Sequence, residues 1–287
     1  MKNIFEHSNS SWVRYSDYEW RKASDGYHYL LPTSDAVPEI YDPMKDAETL
    51  VLTAMNIGLM LIRRQPDGKV RDAIRDFALK YGLLGIMTAL PTTVKFIEYE
   101  KVYFPKNELI RTESMETEDY LKLFFPFHNP DFVKSGMEST WNITDQTLIP
   151  LVLAWQKDPQ SVAMSFMREY GERYDWLAAI FRDWAFVYLT TVFYYQDKDT
   201  LDEETLMIYR KGMAAFDGNA PTYRIELRDK PTLVWDFHSL MLCVKMLFSF
   251  MLTDDTQPLK LCKGCGKLFV AKKAGAEYCS RKCRDES

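Results

Sequence analysis

Short segments with a two-residue apolar period predict the strands of this protein. Residues 11–41 contain "WVRYSDYEW" and "GYHYLLP", which alternate roughly and flank a turn signal at Asp25-Gly26. Residues 92–104 are β-branched and aromatic, and they predict a further strand or hairpin arm. "TYRIEL" predicts another strand, which a turn at 229–231 follows. Together these segments predict a minor antiparallel sheet.

A helical period, with apolar residues three and four positions apart, covers most of the remaining chain. Asp42 and Pro43 suit the start of a helix, which residues 66–68, Pro-Asp-Gly, would end. A second helix is predicted over 69–82. Its apolar face comprises Ile74, Phe77, Ala78 and Tyr81. The sequence 81–85, Tyr-Gly-Leu-Leu-Gly, is predicted to turn tightly into the core, with the rim of a pocket as the alternative.

Helices dominate the second half of the prediction. They are expected over 116–124, over 143–155, from 158 to about 196 with a break at 170–172, from a Thr200/Glu203 capping box to Gly218, and from the Trp235 region to Thr253. The predicted fold class is α+β. Residues 1–256 form a mainly helical domain with the minor antiparallel sheet, and residues 257–287 form a small C-terminal zinc finger.

The composition is that of a globular chain with many bulky side chains. Of the 287 residues, 47% are hydrophobic and 14% aromatic, and there are 14 methionines, which suits a wide helical core. The alternative for these aromatic residues is a ligand pocket or a groove for a partner protein.

Neither the start of the chain nor its apolar segments indicate export or membrane insertion. The first twenty residues contain no apolar core of a signal peptide. Of the two long apolar segments, one is interrupted by Arg182 and Asp183 and the other by Asp236, His238 and Lys245. Charges at such positions are costly in lipid, so we expect buried helices, with His238 as a core histidine, in a cytoplasmic protein.

Charge is distributed unevenly along the chain. The net charge is −5, yet the residues from Leu259 onward contain eight Lys and Arg against three acids. The preceding part contains 28 basic and 38 acidic residues, a charge of −10. An acidic body therefore precedes a basic C-terminal segment.

Four of the five cysteines lie in this basic segment, with the spacing C-x2-C-x13-C-x3-C. They are Cys262, Cys265, Cys279 and Cys283. Thiolates at such spacing are typical of a tetrahedral zinc site, and clustered cysteines in a reducing compartment hold metal more often than they form disulfides. Because all four positions are taken by protein ligands, we expect one structural Zn²⁺ per chain.

Each part of the cysteine segment suggests a local structure. The first two cysteines form a tight knuckle, in which Gly264 and Gly266 allow unusual backbone conformations. "KLFVAKK" is predicted to be a hairpin arm, with Phe269 anchoring a small core. Cys279 and Cys283 lie four residues apart and therefore share a face at the start of a helix. This order of knuckle, hairpin and helix predicts a treble-clef-like finger that depends on its metal to fold.

The C-terminal 60 residues resemble the CGNR zinc-finger proteins of bacteria. The resemblance rests on "LCKGCGKLF", the basic stretch and "YCSRKC", preceded by a helix near a Trp. Arg284-Asp285-Glu286 stands where the family has Gly-Asn-Arg. The resemblance implies a helical N-terminal domain before the finger and a role in transcriptional regulation.

Two functions follow from these features. The finger is predicted to contact nucleic-acid phosphates through Lys272, Lys273, Arg281, Lys282 and Arg284. The alternative is a ligand-sensing or protein-interaction module, in which these side chains are only a solvated basic face and the finger is purely structural. In that case the aromatic body binds a small molecule or a protein.

No catalytic motif is present. The four histidines lie outside H-E-x-x-H and H-x-E patterns, and the chain contains neither a phosphate-binding G-x-x-x-x-G-K-[ST] loop nor a G-x-S-x-G elbow. Cys243 lies in an apolar helix and is predicted to be part of the core. We therefore expect no enzyme activity.

Overall fold

The computed structural model describes residues 8–90, 96–104, 109–129, 131, 133–134, 168–214, 216, 221–227, 229–273 and 275–287. Within these residues the fold is α+β, as predicted, with helices around one continuous core and several small sheets. The helix predicted over 143–155 and the first part of the helix predicted from 158 lie outside the described residues.

The described helices are numbered in chain order. They are α1 Ala47–Ile62, α2 Asp67–Tyr81, α3 Ile86–Ala89, α4 Thr117–Lys122, α5 Tyr174–Asp197, α6 Glu203–Ala214, α7 Leu240–Leu252 and α8 Arg281–Asp285. Single turns of 3₁₀ helix span Pro43–Asp46 and Phe96–Glu98.

The described strands pair in five small sheets. They are β1 Ser8–Asn9, β2 Trp12–Tyr15, β3 Tyr18–Lys22, β4 His28–Pro32, β5 Pro38–Tyr41, β6 Lys101–Tyr103, β7 Ser114–Glu116, β8 Glu172–Arg173, β9 Thr222–Leu227, β10 Pro231–Asp236, β11 Leu259–Leu261 and β12 Leu268–Val270. The pairs β2–β5, β3–β4, β4–β8, β6–β7, β9–β10 and β11–β12 are antiparallel, and β1 lies parallel to β10.

The predicted N-terminal hairpin and the start of the first helix are confirmed. β3 and β4 pair across the turn that contains Gly26, whose φ is 86°. The carboxylate of Asp42 accepts a hydrogen bond from the Met44 amide at 3.0 Å, which caps the 3₁₀ turn leading into α1. Pro66 has a different role from the predicted one, because it is the N-cap of α2 rather than the end of α1.

Helices α1 and α5 form the centre of the core and pack closely along their lengths. The contact is closest at Gly58, where a Cβ atom would lie 2.6 Å from the Cβ of Ala185 and 2.8 Å from the carbonyl carbon of Phe181. The glycine therefore sets the distance between the two helices.

Among the described residues, α5 is the one helix whose length and composition would allow it to cross a membrane. Core helices of water-soluble proteins pass the same test, and α5 packs one face against the body. The buried side chains of α5 are Trp176, Leu177, Ile180, Phe181, Trp184, Ala185 and Tyr188.

Two predictions about the C-terminal half of the body need correction, and a third is confirmed. Thr200 does not form the predicted capping box with Glu203, because its hydroxyl donates to the carbonyl of Asp197. The carboxylate of Asp202 instead accepts a hydrogen bond from the Thr205 amide at the start of α6. Trp235 lies in β10, and α7 begins only at Leu240, because the apolar run after the turn pairs with β9 as a strand. The break predicted at 170–172 is confirmed, since β8 lies there and α5 follows it.

Candidate metal centre

The four C-terminal cysteines come from two local structures. Cys262 and Cys265 lie in the knuckle between β11 and β12, Cys279 directly precedes the N-cap of α8, and Cys283 lies in the first turn of α8. The hydroxyl of Ser280 accepts a hydrogen bond from the Cys283 amide at 3.2 Å and caps this short helix. The cap fixes the backbone between the last two cysteines.

All four sulfur atoms lie within 4.8 Å of one another. The Sγ atoms of Cys265 and Cys279 are 3.6 Å apart, and so are those of Cys279 and Cys283. Four tetrahedral sulfurs bound to a metal at about 2.3 Å lie about 3.8 Å from each other, whereas a disulfide bond measures about 2.05 Å. The arrangement therefore fits a single metal ion and not a pair of disulfides.

The backbone around Cys262 favours the thiolate that a metal requires. Burial opposes ionisation of this thiol, but the backbone N–H groups of Cys265, Cys279 and Gly264 point at its sulfur and lower the pKa of Cys262 to about 6. The amide of Cys279 donates at 3.3 Å. Amides of the knuckle and of Cys279 thus favour the thiolate form of Cys262.

The raised pKa of Cys279 shows why a cation suits this site. Burial and the neighbouring sulfurs raise the pKa of Cys279 to about 12. Four negative sulfurs at these distances repel one another, and a divalent cation between them removes the repulsion.

The two glycines of the knuckle are required for different reasons. Gly266 has φ 68°, a left-handed conformation that side chains other than glycine rarely adopt. At Gly264 a Cβ atom would lie 2.7 Å from the carbonyl oxygen of Cys283. One glycine therefore closes the turn, and the other lets α8 approach it.

The finger is packed against helix α1 of the body. The side-chain amide of Asn56 donates to the carbonyl oxygen of Leu268 at 3.2 Å, and its oxygen accepts from the Leu268 amide at 2.7 Å. The Arg63 guanidinium donates to the carbonyl of Gly266 at 2.6 Å. On the other side, the Tyr188 hydroxyl of α5 donates to the carbonyl of Leu259 at 3.2 Å.

The apolar anchor of the finger is Leu268 and not the predicted Phe269. Leu268 is 3% exposed and belongs to the core of the body, whereas Phe269 is half-buried. Alternation along β12 places these side chains on opposite faces, and Phe269 lies opposite Lys260 in the register. The prediction assumed a separate core for the finger, but the finger uses the core of the body.

Two of the five predicted phosphate contacts lie beyond the end of β12. Lys272 and Lys273 are exposed, and they form no ion pair within the part of the chain that the structure describes. Their charges are therefore available on the surface.

The other three predicted contacts lie on α8 beside acidic side chains. Arg281 lies 3.6 Å from Asp285, Lys282 lies 3.8 Å from Glu286, and Arg284 lies 3.1 Å from Asp285. All three basic side chains are well exposed, so these pairs are weak and screened by salt. They nevertheless reduce the positive potential of α8.

Two further single-residue predictions have different outcomes. Cys243 is 1% exposed, and burial raises the pKa of its thiol well above the usual range, so it is an inert core residue as expected.

His238 is not a core histidine. Its side chain is 37% exposed and its φ is 61°. His238 lies in an Asx turn, in which the carboxylate of Asp236 accepts a hydrogen bond from the His238 amide. This turn leads into Ser239, the N-cap of α7.

A second candidate site lies between α5, α6 and the end of α7, where tyrosines line a cleft. Sequence reasoning did not identify it, although the high tyrosine content had raised the possibility of an aromatic pocket. The tyrosines on α5 and α6 are far from the end of α7 in sequence, so only the fold brings them together.

No family model, curated protein or solved structure matches this chain.

Proposed function

We propose that this chain is a zinc-dependent protein of regulatory type that binds nucleic acid through its C-terminal finger. The observation that carries the proposal is the orientation of the finger. Its hairpin packs on α1 through Leu268, while Lys272, Lys273 and the basic side chains of α8 are exposed. The negative charge of the body repels nucleic acid elsewhere on the surface and favours approach to the finger.

Zinc is the metal that best fits the donor set. Soft thiolates favour Zn²⁺, and four protein sulfurs leave no position for substrate or water, so the ion is structural. The ligands are Cys262, Cys265, Cys279 and Cys283. The knuckle, the hairpin β11–β12 and the short α8 together support a treble-clef-like finger of the kind found in the CGNR proteins.

The test is nucleic-acid binding by the zinc-loaded chain across a salt series. Duplex DNA and single-stranded RNA of mixed sequence serve as probes, with binding followed by fluorescence anisotropy. Binding through phosphates weakens as salt rises, with a logarithmic slope of about 0.9 per contact on duplex DNA. The finger variant carries Ala at Lys272, Lys273, Arg281, Lys282 and Arg284.

A matched control removes five exposed positive charges from the body instead. It carries Ala at Lys22, Lys45, Lys69, Lys80 and Lys211. We expect the finger variant to lose binding and the control to keep it. Equal losses in both variants would indicate non-specific attraction, and no binding at low salt by a chain with one zinc would refute the proposal.

The second candidate function is ligand sensing with a purely structural finger. The contacts of Asn56, Arg63 and Tyr188 with the finger favour it, because they make the finger part of the body. The tyrosine-lined cleft supplies a place for a ligand.

A further inference from the structure

A cleft of about 640 Å³ opens between the last turns of α5, helix α6 and the C-terminal end of α7. Small-molecule sites commonly measure about 300–1,000 Å³, so the volume suits a metabolite-sized ligand. We call it the tyrosine cleft. Its lining includes Tyr194, Tyr195, Tyr209, Arg210, Met213 and Asp255.

The tyrosine rings stand at steep angles to one another. The rings of Tyr194 and Tyr195 are 5.2 Å apart and inclined at 89°, and those of Tyr194 and Tyr209 are 6.2 Å apart and inclined at 56°. Rings in this arrangement present their faces in several directions, and all three of these tyrosines line the cleft. The face of an aromatic ring is negative and attracts cations.

Cationic side chains already lie over these rings. The Lys198 ammonium is 5.5 Å from the ring centre of Tyr195, and the Arg210 guanidinium is 5.9 Å from that of Tyr194. These two rings therefore already attract positive groups of the chain itself, and a cationic ligand would replace or join them.

The charge balance of the tyrosine cleft is negative. Arg210 donates hydrogen bonds to the Glu203 carboxylate at 2.7 Å and to the Tyr194 hydroxyl at 3.1 Å, so its charge is compensated. Asp255 is exposed and forms no ion pair within the described residues. Apart from Glu203, the nearby segment 197–204 adds four acids against one lysine.

We propose that the tyrosine cleft binds an organic cation, a quaternary or alkylated ammonium group with an apolar body. The tyrosine faces surround the ammonium group, Asp255 supplies the counter-charge, and Met213 contacts the apolar part. An anionic ligand would find the Arg210 guanidinium already engaged by Glu203 and Tyr194, which leaves Lys198 as its partner among the cations over the rings. The proposal does not depend on nucleic-acid binding by the finger.

Ligand-detected NMR on the zinc-loaded full chain tests the proposal with three small probes. Choline and 3,3-dimethylbutan-1-ol have the same shape and differ in the positive charge, and phenylphosphate represents an anionic aromatic ligand. We expect saturable binding of choline, weaker binding of its neutral analogue and none of phenylphosphate.

A pair of variants at one exposed position connects the binding to the ring. Tyr195 is 66% exposed, so its replacement leaves the core intact, which a melting curve verifies. We expect Tyr195→Leu to weaken choline binding by about fivefold and Tyr195→Phe, which keeps the ring face, by less than about twofold. Asp255→Asn is expected to weaken it by about threefold, and less at high salt.

Several outcomes would overturn the proposal. Equal affinity for choline and its neutral analogue would indicate a merely apolar pocket. Binding of phenylphosphate in place of choline would make Arg210 the centre of an anion site. Absence of saturable choline binding, or an unchanged affinity in Tyr195→Leu, would show that the cleft is not a cation site.

Discussion

Glu172 shows how a single buried residue fixes the centre of this body. Its carboxylate is fully buried and accepts hydrogen bonds from the amides of Leu84 at 2.8 Å and Ile86 at 2.9 Å, and from the Tyr170 hydroxyl at 2.8 Å. These bonds hold the turn at 82–85 that follows α2, which the sequence predicted to enter the core. The acid that stabilises the turn comes from β8, which lies 86 to 88 residues further along the chain.

The variant Glu172→Gln tests this role and its pH dependence. Burial raises the pKa of Glu172 above its usual 4.5, although the hydrogen bonds oppose the shift. A raised pKa means that its contribution to the free energy of unfolding is full below about pH 4.5 and is lost as the pH rises through the native pKa. In Gln an NH2 group replaces the oxygen that accepts from Leu84, and it cannot accept a hydrogen bond. We therefore expect Glu172→Gln to lower the free energy of unfolding by about 1–3 kcal/mol at low pH. The difference between the two proteins should become smaller as the pH rises.

Urea unfolding over a pH series measures this difference. The control is Glu204→Gln, because Glu204 is exposed and its replacement should change stability little at any pH. A difference that widens with pH would show instead that the native carboxyl is ionised and that its pKa is lowered.

Residues whose chemistry depends on neighbours in sequence were predictable, and those that depend on distant partners were not. Cys262 and its three fellow ligands lie within 22 residues of one another, so their spacing alone indicated a metal site. Asn56 binds Leu268 across 212 residues, and nothing in the local sequence of α1 indicates this contact. The local sequence around Glu172 does not indicate its role either, because the amides to which it is hydrogen-bonded lie in another segment of the chain.

At the scale of elements, the contact between α1 and α5 depends on one glycine. Replacing a glycine inside a helix by alanine usually stabilises it by about 0.8–1 kcal/mol. At Gly58 the new methyl group would overlap Phe181 and Ala185, so we expect Gly58→Ala to lower the free energy of unfolding by about 1–3 kcal/mol. Chemical denaturation measures the change.

The matched control for this prediction lies in α6. An added Cβ at Gly212 meets nothing within 4 Å, so Gly212→Ala should show the ordinary stabilising effect. If both variants gained stability, the two helices would be less tightly packed than the structure indicates.

Most described elements followed from local patterns, and the exceptions have a common cause. The apolar run at β10 has no period that separates a buried strand from a helix, and only its pairing with β9 decides the outcome. Phe269 was predicted to anchor a small core of the finger, yet the alternation of β12 directs Leu268 toward the body. Tertiary contacts decided both cases.

At the scale of the whole molecule, Asn56 is one of the contacts that join the finger to the body. Asn56→Ala removes both hydrogen bonds to Leu268, whereas Asn56→Asp keeps the accepted bond but sets a carboxylate oxygen against the carbonyl oxygen of Leu268. We expect faster zinc release in both variants, measured with a chromogenic chelator. The physical reason is that a finger detached from α1 opens more often. Release at the parental rate in both variants would mean that the finger is stable without the body.

Removal of the metal should affect the body as well as the finger. Leu259 and Leu268 belong to the core of the body, and they lie on β11 and β12, the two strands that the cysteine knuckle connects. Exposing one such leucine costs roughly 1.5–3 kcal/mol, so chelation should lower the melting temperature of the body measured by the near-ultraviolet signal of its tryptophans. Cys283→Ser should cause a similar loss without chelator and should be insensitive to it. The opposite result would be that chelation leaves the melting of the body unchanged while the finger becomes sensitive to protease. Finger and body would then be independent units, and the contacts of Asn56 and Arg63 would contribute little to stability.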